Sequence, residues 1–276
     1  MSDMLGQPIL RRRRMDVFRV MAALAGVVVV AYIALLVVVG TSLLGPNTLG
    51  ELISTEQTLR SIVLSLAAAL AATVIAMTIG IPAAYALSRF RIPGRAAFDT
   101  LIDVPIALSP VALGLILLAM FSTGPGRSVE ENVVVFTYAV PGILLAQFTV
   151  VFALTVRLLK TAFDDVPARL EVIARTLGST RWRAFRRVTL PLARRAVFTA
   201  FVISFARAFG EFGATIMIAG LAPGPRETLP SSIYLKFMSL EVSQAAGLVV
   251  LGALVAFVFL LVLRMAASPD LKREIL

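Results

Sequence analysis

The sequence of 276 residues contains no cysteine and no histidine. These two absences exclude a disulfide framework, thiolate metal sites, a cysteine nucleophile and any catalysis that depends on a histidine base. The sequence also has no Gly-x-x-x-x-Gly-Lys-Ser/Thr pattern, so it encodes no P-loop for ATP. Charged residues make up only 15% of the chain, whereas they make up about a quarter of a soluble domain. We therefore expect no catalytic residue, no metal ion and no cofactor in this chain.

Hydrophobic residues, in contrast, make up 59% of the chain, and the mean hydropathy is +0.92. They fall in uninterrupted blocks of about 20 residues, the length that crosses a hydrocarbon layer of about 30 Å as a helix. The pattern predicts an all-α membrane protein rather than a soluble fold. The six predicted spans are Val20–Leu44, Ser61–Leu87, Leu101–Phe121, Val133–Val156, Ala196–Gly220 and Ser243–Leu263.

The basic residues are distributed unequally between the segments that connect these spans. With the amino-terminal head placed in the cytoplasm, the inside segments hold 21 Lys and Arg residues and the outside segments hold 4. This asymmetry is typical of the positive-inside pattern, and it predicts that both termini are cytoplasmic. It also accounts for the net charge of +10 without a nucleic-acid partner.

The run Arg11–Arg14 precedes the first span, as in a secretory signal peptide. The apolar stretch that follows is longer than the about 7–15 residues of a signal core and lacks an obvious cleavage site, so we interpret it as a retained anchor. Docking of the arginine run to anionic lipid or to nucleic acid is the alternative.

Residues 157–195 form the longest connecting segment, and their pattern predicts two short amphipathic helices. Asp164 or Asp165 is expected to cap the first helix, with Pro167 in its first turn and Gly178 as its stop. The apolar positions of this helix recur at helical spacing and are Leu170, Ile173, Ala174 and Leu177.

The second predicted helix of this loop follows Ser179 or Thr180, either of which can act as its cap. It ends before Leu190-Pro191 and carries Trp182, Phe185 and Val188. The pattern alone leaves two interpretations of the loop. Its apolar faces rest on the membrane or on the undersides of the spans, or they dock into a groove on a separate partner.

One stretch of this loop resembles a known motif. Glu171–Gly178 reads Glu-Val-Ile-Ala-Arg-Thr-Leu-Gly and is followed after nine residues by Val188–Pro191, which reads Val-Thr-Leu-Pro. This is similar to the EAA loop of permease subunits of bacterial and archaeal ABC importers: Glu-Ala-Ala, three residues, Gly, nine residues, Ile, one residue, Leu-Pro. The spacing from Gly178 to the Leu-Pro pair matches in full. The Glu position of the motif holds Val172, and the acidic residue stands one place earlier, at Glu171.

The resemblance implies that this loop contains the coupling helix, which fits a cleft on a separate ATPase subunit. It carries the coupling role over to Glu171, Ala174, Gly178, Leu190 and Pro191. In physical terms, Gly178 permits a sharp turn between the two helices, and the apolar stripe supplies contact area. Acidic groups of the partner can pair with Arg175, Arg181 and Arg183.

The fifth predicted span places Arg207 and Glu211 within the membrane, where each charge costs about 2.5–3.5 kcal/mol at the centre. On one helix they would share a face and could pair. One interpretation is a structural ion pair that holds this span against its neighbours. The other is that this face lines an aqueous path for an anion, with close backbone approach permitted at Gly210, Gly213 and Gly220.

The same segment also carries a resemblance. Phe205–Thr215 reads Phe-Ala-Arg-x-x-Gly-Glu-Phe-Gly-Ala-Thr. It is similar to the fifth span of permeases for tetrahedral oxyanions, most closely molybdate and tungstate and next sulfate and thiosulfate; the loop Arg226–Tyr234 supports the same subfamily. The resemblance implies a translocation path at Arg207, Gly210, Glu211, Gly213 and Thr215.

Together the two resemblances imply a six-span permease of the type 1, MetI-like, ABC importer architecture in the inner or plasma membrane of a prokaryote. The implied partners are a second copy of the chain, two ATPase subunits, an extracytoplasmic oxyanion-binding protein and membrane lipid. The expected organisation is 1–58 for the head, first span and outer loop, 59–265 for the transmembrane core with the coupling loop, and 266–276 for a cytoplasmic tail.

An ion-coupled secondary transporter or channel is the main alternative class, because charged residues within spans are equally expected there. That class does not explain the long basic loop with its two short helices. A membrane-embedded enzyme is a third possibility, but the spans supply only Asp103, Arg207 and Glu211 as charged groups. Asp103 is otherwise expected to be a solvated interfacial carboxylate, and Pro105 and Pro110 to kink the third span.

Overall fold

The structure is a computed structural model that describes residues 17–90 and 93–267. Every regular element in these residues is helical, in agreement with the all-α prediction. The run Arg11–Arg14 and most of the predicted tail, 266–276, lie outside the described residues. The chain divides into two compact units, Met1–Leu43 and Leu44–Leu276.

The first unit contains one described helix, α1 (Val17–Ser42), in which Arg19 is the charged residue. A π-helical turn, Phe185–Thr189, belongs to the second unit. The α-helices of the second unit are α2 (Thr48–Ser54), α3 (Glu56–Arg89), α4 (Arg95–Ala107), α5 (Pro110–Ser122), α6 (Gly124–Asn132), α7 (Val140–Asp164), α8 (Ala168–Thr176), α9 (Arg181–Ala184), α10 (Leu190–Phe209), α11 (Gly213–Ala219), α12 (Leu229–Met238) and α13 (Val242–Ala267).

Five helical segments of the described chain are long and apolar enough to cross a membrane. They are Phe18–Ser42, Glu56–Arg89, Val140–Asp164, Arg181–Phe209 and Val242–Met265. A sixth span is obtained when the bent pair Ala97–Ala107 and Pro110–Ser122 is counted as one. All six predicted spans thus have a helical counterpart, but the third and the fifth are interrupted.

The centre of the second unit is formed by α3, α7 and α10, because small residues let their backbones approach closely. A Cβ added to Gly80 of α3 would lie 3.2 Å from Leu159 Cδ1 of α7. The buried hydroxyls of Thr155 in α7 and Ser204 in α10 lie 2.8 Å apart. Close contact of this kind stabilises helix pairs in a bilayer, where lipid is as apolar as the side chains. The fully buried alanines of α3 are Ala69, Ala72, Ala76 and Ala84.

The third predicted span is not one helix, because α4 and α5 meet at 105°. Ser109 caps α5 and accepts a hydrogen bond from the Ala112 N–H at 3.2 Å. Pro110 opens α5, a position where its missing N–H costs nothing and its fixed φ favours a new helix. The predicted interruption is confirmed, and it occurs at Pro110, since Pro105 lies inside α4.

The prediction of a single fifth helix, Ala196–Gly220, is wrong. Helix α10 ends at Phe209 with Gly210 as its cap, and α11 begins at Gly213. A Cβ added to Gly213 would lie 3.2 Å from Pro110 Cβ, so this glycine allows α11 to start against the beginning of α5. The interruptions of the third and fifth spans therefore lie side by side.

Gly114 is a point of close contact between α5 and α11, where an added Cβ would lie 2.7 Å from Ala214 Cα. We expect Gly114→Ala to destabilise the protein by about 1–3 kcal/mol through overpacking. Gly50 of α2 has nothing within 4 Å of an added Cβ, so Gly50→Ala is the matched control and should not destabilise. Thermal unfolding of both variants in detergent measures the difference, and equal stability would contradict this packing.

Candidate functional site

The segment 165–189 contains α8, α9 and the π-helical turn, and its hydrogen bonds reach the last turn of α3. We call this end of the second unit the basic end, because the segment carries six arginines that are all exposed. They are Arg169, Arg175, Arg181, Arg183, Arg186 and Arg187.

The first predicted short helix is present as α8, but the predicted aspartate cap is wrong. Asp164 is the last residue of α7, and Asp165 is the cap at the end of that helix. Pro167 holds the capping position of α8 and makes no side-chain bond there. The helix α7 thus continues further than the predicted span, and α8 follows it after a tight connection.

The predicted stop at Gly178 is confirmed. Its φ is +89°, and its N–H donates to the Arg175 carbonyl at 3.0 Å. The next N–H, of Ser179, donates to the Ala174 carbonyl at 3.0 Å. These two bonds form a Schellman motif, which requires a left-handed residue that glycine adopts without steric cost. Gly178 therefore fixes the angle between α8 and α9.

Several large apolar side chains of this segment are exposed. Leu177 is 82% exposed, whereas the single buried residue of α8 is Glu171, which is 7% exposed. A short helix that buries a carboxylate and exposes most of its large apolar residues indicates a surface that another molecule covers. We call this surface the apolar patch; its residues are Val172, Ile173, Leu177 and Trp182.

The predicted apolar stripe of the first helix is consequently divided between two environments. Leu170 and Ala174 are half-buried against the chain, whereas Ile173 and Leu177 belong to the exposed apolar patch. The buried position on the inner face is occupied by Glu171. Helical spacing alone could not reveal this division, because it does not show which polar side chain has a buried partner.

The second short helix is also present, and Thr180 is its cap, since Thr180 Oγ1 accepts a hydrogen bond from the Arg183 N–H at 3.2 Å. The prediction that it ends before Leu190-Pro191 is wrong. The π-helical turn carries the chain from α9 directly into α10, with Leu190 half-buried and Pro191 exposed. A wider π turn relieves the clash that a proline makes with the preceding helical turn.

Four side chains at the basic end form a polar cluster that we call the junction: Tyr85, Arg89, Glu171 and Thr189. Glu171 Oε1 accepts hydrogen bonds from Arg89 Nε at 2.8 Å and from Thr189 Oγ1. Glu171 Oε2 accepts one from the Tyr85 hydroxyl at 2.8 Å. The carboxylate of Glu171 is thus turned into its own chain and away from the apolar patch.

The junction also determines the ionisation of Glu171. Burial by itself would raise the pKa of this carboxyl, but hydrogen bonds from Thr189, Arg89 and Tyr85 and the charge of Arg89 outweigh it and lower the pKa below the ordinary 4.5. A carboxyl with a lowered pKa stabilises the fold above its unfolded pKa, and that contribution is lost as the pH falls through the folded pKa. The carboxyl of Glu171 is therefore ionised near neutral pH.

A second site lies where the interruptions of the third and fifth spans meet. It is a cleft of about 130 Å³, and Arg207 is the charged residue of its lining. The other lining residues are Pro105, Ile106, Leu108, Pro110, Leu113, Val150 and Leu154. An apolar cleft with one guanidinium provides a place where an anion is attracted within otherwise hydrophobic surroundings.

Arg207 and Glu211 form the predicted ion pair, with Arg207 Nη1 at 2.6 Å from Glu211 Oε2. They pair across the end of α10 rather than along one helix. Glu211 is 1% exposed, and its other oxygen accepts the Ala214 N–H at 2.9 Å, which caps α11. The Arg207 side chain is 37% exposed. Glu211 is thus a structural partner, whereas Arg207 is both paired and turned to the cleft.

The other residues that were predicted to line the path lie outside the lining of the cleft. Gly210 is exposed at the end of α10, and Gly213 is half-buried against α5. Thr215 is 1% exposed, and its hydroxyl has no hydrogen-bond partner among the described residues. Arg207 is therefore the one predicted path residue in the lining of the cleft.

Asp103, predicted as a solvated carboxylate, is partly exposed but also has an ion-pair partner that the sequence did not indicate. Its Oδ2 pairs with Arg157 Nη2 of α7, and both side chains are 40% exposed. The pair connects α4 to α7 next to the interruption of the third span. Sequence reasoning missed Arg157 because a basic residue at the inner end of a span is adequately explained by the positive-inside pattern.

Comparison with known families decides the class of the protein. Residues 76–268, which include the basic end and the cleft, match the family described as binding-protein-dependent transport system inner membrane component. The chain belongs to this family of ABC importer permeases. It is a multi-pass inner-membrane protein and the non-catalytic component of its transporter, which also has an ATPase subunit and a periplasmic binding protein.

The relatives include permeases named for molybdenum and for sulfate. The permease is 38% identical over 217 residues to a probable molybdenum ABC transporter permease of Haloferax volcanii, covering 78% of each chain. It is 36% identical over 188 residues to the molybdenum transport system permease ModB of Escherichia coli, covering 66% of this chain and 81% of that one. The sulfate permease CysT of Escherichia coli is 30% identical over 213 residues, covering 76% of this chain and 77% of that one.

Solved structures support the fold. The permease matches a chain of a bacterial alginate ABC transporter bound to its periplasmic protein with a TM-score of 0.70 at 19% identity, covering 89% of this chain and 92% of that one. It matches a chain of the inward-facing MetNI methionine transporter with a TM-score of 0.54 at 18% identity, covering 78% of this chain and 99% of that one. The predicted type 1, MetI-like architecture is confirmed.

Proposed function

We propose that this permease forms the translocation path of an ATP-driven importer for molybdate or tungstate. The molybdenum permeases of Haloferax volcanii and Escherichia coli are 38% and 36% identical to it, and the match covers 78% and 81% of their length. The sulfate permeases CysT and CysW of Escherichia coli are 30% and 36% identical, and the match covers 77% and 62% of their length. Sulfate or thiosulfate is the second candidate, supported by that less extensive similarity. Both substrate classes are tetrahedral oxyanions, for which the guanidinium of Arg207 at the cleft is a suitable electrostatic environment.

The observation that carries the proposal is the exposed apolar patch on a helix whose carboxylate is buried. The patch docks into a cleft of the ATPase subunit as a helix in a groove, and the exposed arginines around it pair with acidic groups. Ala174 and Gly178 set the shape of this surface through the Schellman motif. Leu190 and Pro191 begin α10, so the docked segment continues directly into a membrane span.

Two copies of the permease surround the path, because a channel lined by one face of each subunit closes on a two-fold axis. The basic end faces the cytoplasm, since its arginines follow the positive-inside pattern, and both termini lie on that side. The two ATPase subunits bind there, and the binding protein delivers the anion to the opposite side. Lipid surrounds the spans.

Transport follows from the different affinity of ATP for two states of the complex. ATP binding closes the ATPase pair, draws the two apolar patches together and turns the spans from inward-open to outward-open. The binding protein holds the anion tightly, and the permease offers it a path rather than a binding site. Arg207 lowers the electrostatic barrier at the cleft.

A charge placed in the apolar patch should remove the ATPase subunit. We expect Leu177→Asp to weaken association by about 30-fold or more. Docking of this variant would bury an unpaired carboxylate and would lose an apolar contact of the size of an interface hot spot. Leu240, which is 85% exposed after α12, provides the matched control Leu240→Asp, for which association should stay unchanged. Co-purification from membranes measures both; equal ATPase yield with the two variants would contradict docking at the patch.

The substrate is tested in proteoliposomes that contain the permease, its ATPase and its binding protein. Molybdate uptake should depend on ATP, persist when ion gradients are dissipated, and be competed by tungstate far better than by sulfate. Effective competition by sulfate would favour the second candidate. Uptake that needs an ion gradient and is indifferent to ATP would refute the proposed function.

A further inference from the structure

Arg89, the last residue of α3, satisfies four acceptors with one guanidinium, and its side chain is 10% exposed. Its Nε donates to Glu171 at 2.8 Å, and its Nη1 donates to the Ser88 hydroxyl at 3.0 Å. Its Nη2 donates to the Phe163 carbonyl at 2.8 Å and to the Val166 carbonyl at 2.7 Å. A cation here also complements the partial negative charge at the end of α7. One side chain therefore joins α3, the end of α7 and α8.

Glu171 completes this arrangement from the other side. Its two oxygens accept three hydrogen bonds, from Arg89 and Tyr85 of α3 and from Thr189 of the π-helical turn. Thr189 is fully buried and directly precedes α10. Charge-assisted hydrogen bonds of this kind are stronger and geometrically stricter than neutral ones. The junction thus attaches α8 both to α3 and to the beginning of α10.

Aromatic rings connect the junction to the apolar patch. The exposed Trp182 lies 5.6 Å from the ring of Phe185, which is 5% exposed. Phe185 in turn lies 4.6 Å from the ring of Tyr85, and Tyr85 lies 6.2 Å from Phe163 of α7. A contiguous series of packed rings therefore leads from the docking surface to the inner ends of α3 and α7.

We infer that Arg89 is a positioning residue that makes the apolar patch, the π-helical turn and the inner ends of α3 and α7 one rigid body. The inference rests on the proposed docking of the patch to the ATPase. Displacement of the patch then moves α10, and with it Arg207 at the cleft, instead of being absorbed within the loop. The physical basis is the network of hydrogen bonds and packed rings described above. It contacts the apolar patch at one end and the ends of α3, α7 and α10 at the other.

The test uses the complete transporter, with ATPase and binding protein, in proteoliposomes, and measures anion transported per ATP hydrolysed. Arg89→Met should keep the ATPase associated but lower this ratio by about tenfold. Arg89→Lys, which supplies one ammonium for the same acceptors, should restore part of it. Arg60 at the opposite end of α3 pairs with Glu56 in an exposed pair, so Arg60→Met is the matched control and should leave the ratio unchanged.

Arg89→Met leaves the carboxylate of Glu171 buried without its charge partner, so that variant can fail to fold. The double variant Arg89→Met/Glu171→Gln removes both charges and keeps a polar group of similar shape; it should insert, bind the ATPase and show the same lowered ratio. An unchanged ratio in the double variant overturns the inference. Loss of the ATPase from a double variant that is correctly inserted also overturns the inference. In that case the junction would shape the docking surface rather than transmit the movement of the apolar patch. Failure of the proposed function is seen separately, as absence of ATP-dependent uptake by the wild-type complex.

Discussion

Gly178→Val is expected to lower anion uptake per ATP by about tenfold or more while the permease still inserts into the membrane. The φ of +89° places Gly178 in the left-handed region, where a β-branched residue costs about 1–3 kcal/mol. An added Cβ meets nothing within 4 Å, so the effect comes from the backbone and not from a steric clash. Relief of this strain requires a different turn, which displaces α8 relative to α9 and divides the apolar patch.

A series of substitutions tests whether backbone strain at Gly178 causes the loss of coupled uptake. Asn tolerates the left-handed region better than Val, so Gly178→Asn should retain an intermediate ratio. Gly94, with φ of +73° and nothing within 4 Å of an added Cβ, provides the control Gly94→Val, which imposes similar strain away from the patch. Reconstituted vesicles supply the ratio of uptake to hydrolysis. Normal coupled transport by Gly178→Val would show that this turn has no coupling role.

Arg207→Met is expected to have the largest effect on stability, about 3–5 kcal/mol, because it leaves the carboxylate of Glu211 unpaired. Glu211 is 1% exposed, and its remaining bond is to the Ala214 N–H. Glu211→Gln should cost less, since Arg207 is 37% exposed at the cleft and the amide can still accept the Ala214 N–H. The two partners of one ion pair are thus predicted to respond unequally.

The double variant Arg207→Met/Glu211→Gln distinguishes structure from transport. It should recover most of the stability lost in Arg207→Met, because no buried charge is left unpaired. If Arg207 lines the path, uptake should stay low in the recovered protein. Thermal unfolding in detergent and uptake into vesicles are the two measurements. Wild-type stability and uptake in Arg207→Met would show that Arg207 is neither structural nor part of the path.

Local sequence was sufficient wherever neighbouring residues settle the structure. Blocks of apolar residues predicted the spans, because the thickness of the bilayer fixes the length of a helix that crosses it. A cap at Ser179 or Thr180 and a stop at Gly178 were predicted because capping needs only the nearest backbone groups, and the structure places the cap at Thr180. The spacing from Gly178 to the Leu190-Pro191 pair likewise predicted the family, which the match over residues 76–268 confirms.

Predictions were less successful where they depended on whether a helix is continuous or on contacts with residues far away in the sequence. The fifth span was predicted as one helix since its composition stays apolar through Gly210 and Gly213, yet packing against Pro110 lets a new helix begin there. The π-helical turn was missed because Leu190-Pro191 is a typical helix boundary and nothing local indicates a wider turn. Asp103 was assigned to solvent because its partner, Arg157, lies on a different helix.

The sequence by itself determined that this chain is a helical membrane protein, which segment of the chain forms the basic loop, and where that loop turns. These properties depend on composition and on residues a few positions apart. Only the tertiary structure decided which side of α8 is buried and which residue of the fifth span lines the cleft. Glu171 meets Arg89 across 82 residues of chain, and Arg207 reaches a cleft whose other walls come from three further helices. Contacts between distant segments depend on how the helices pack, and no local pattern encodes that.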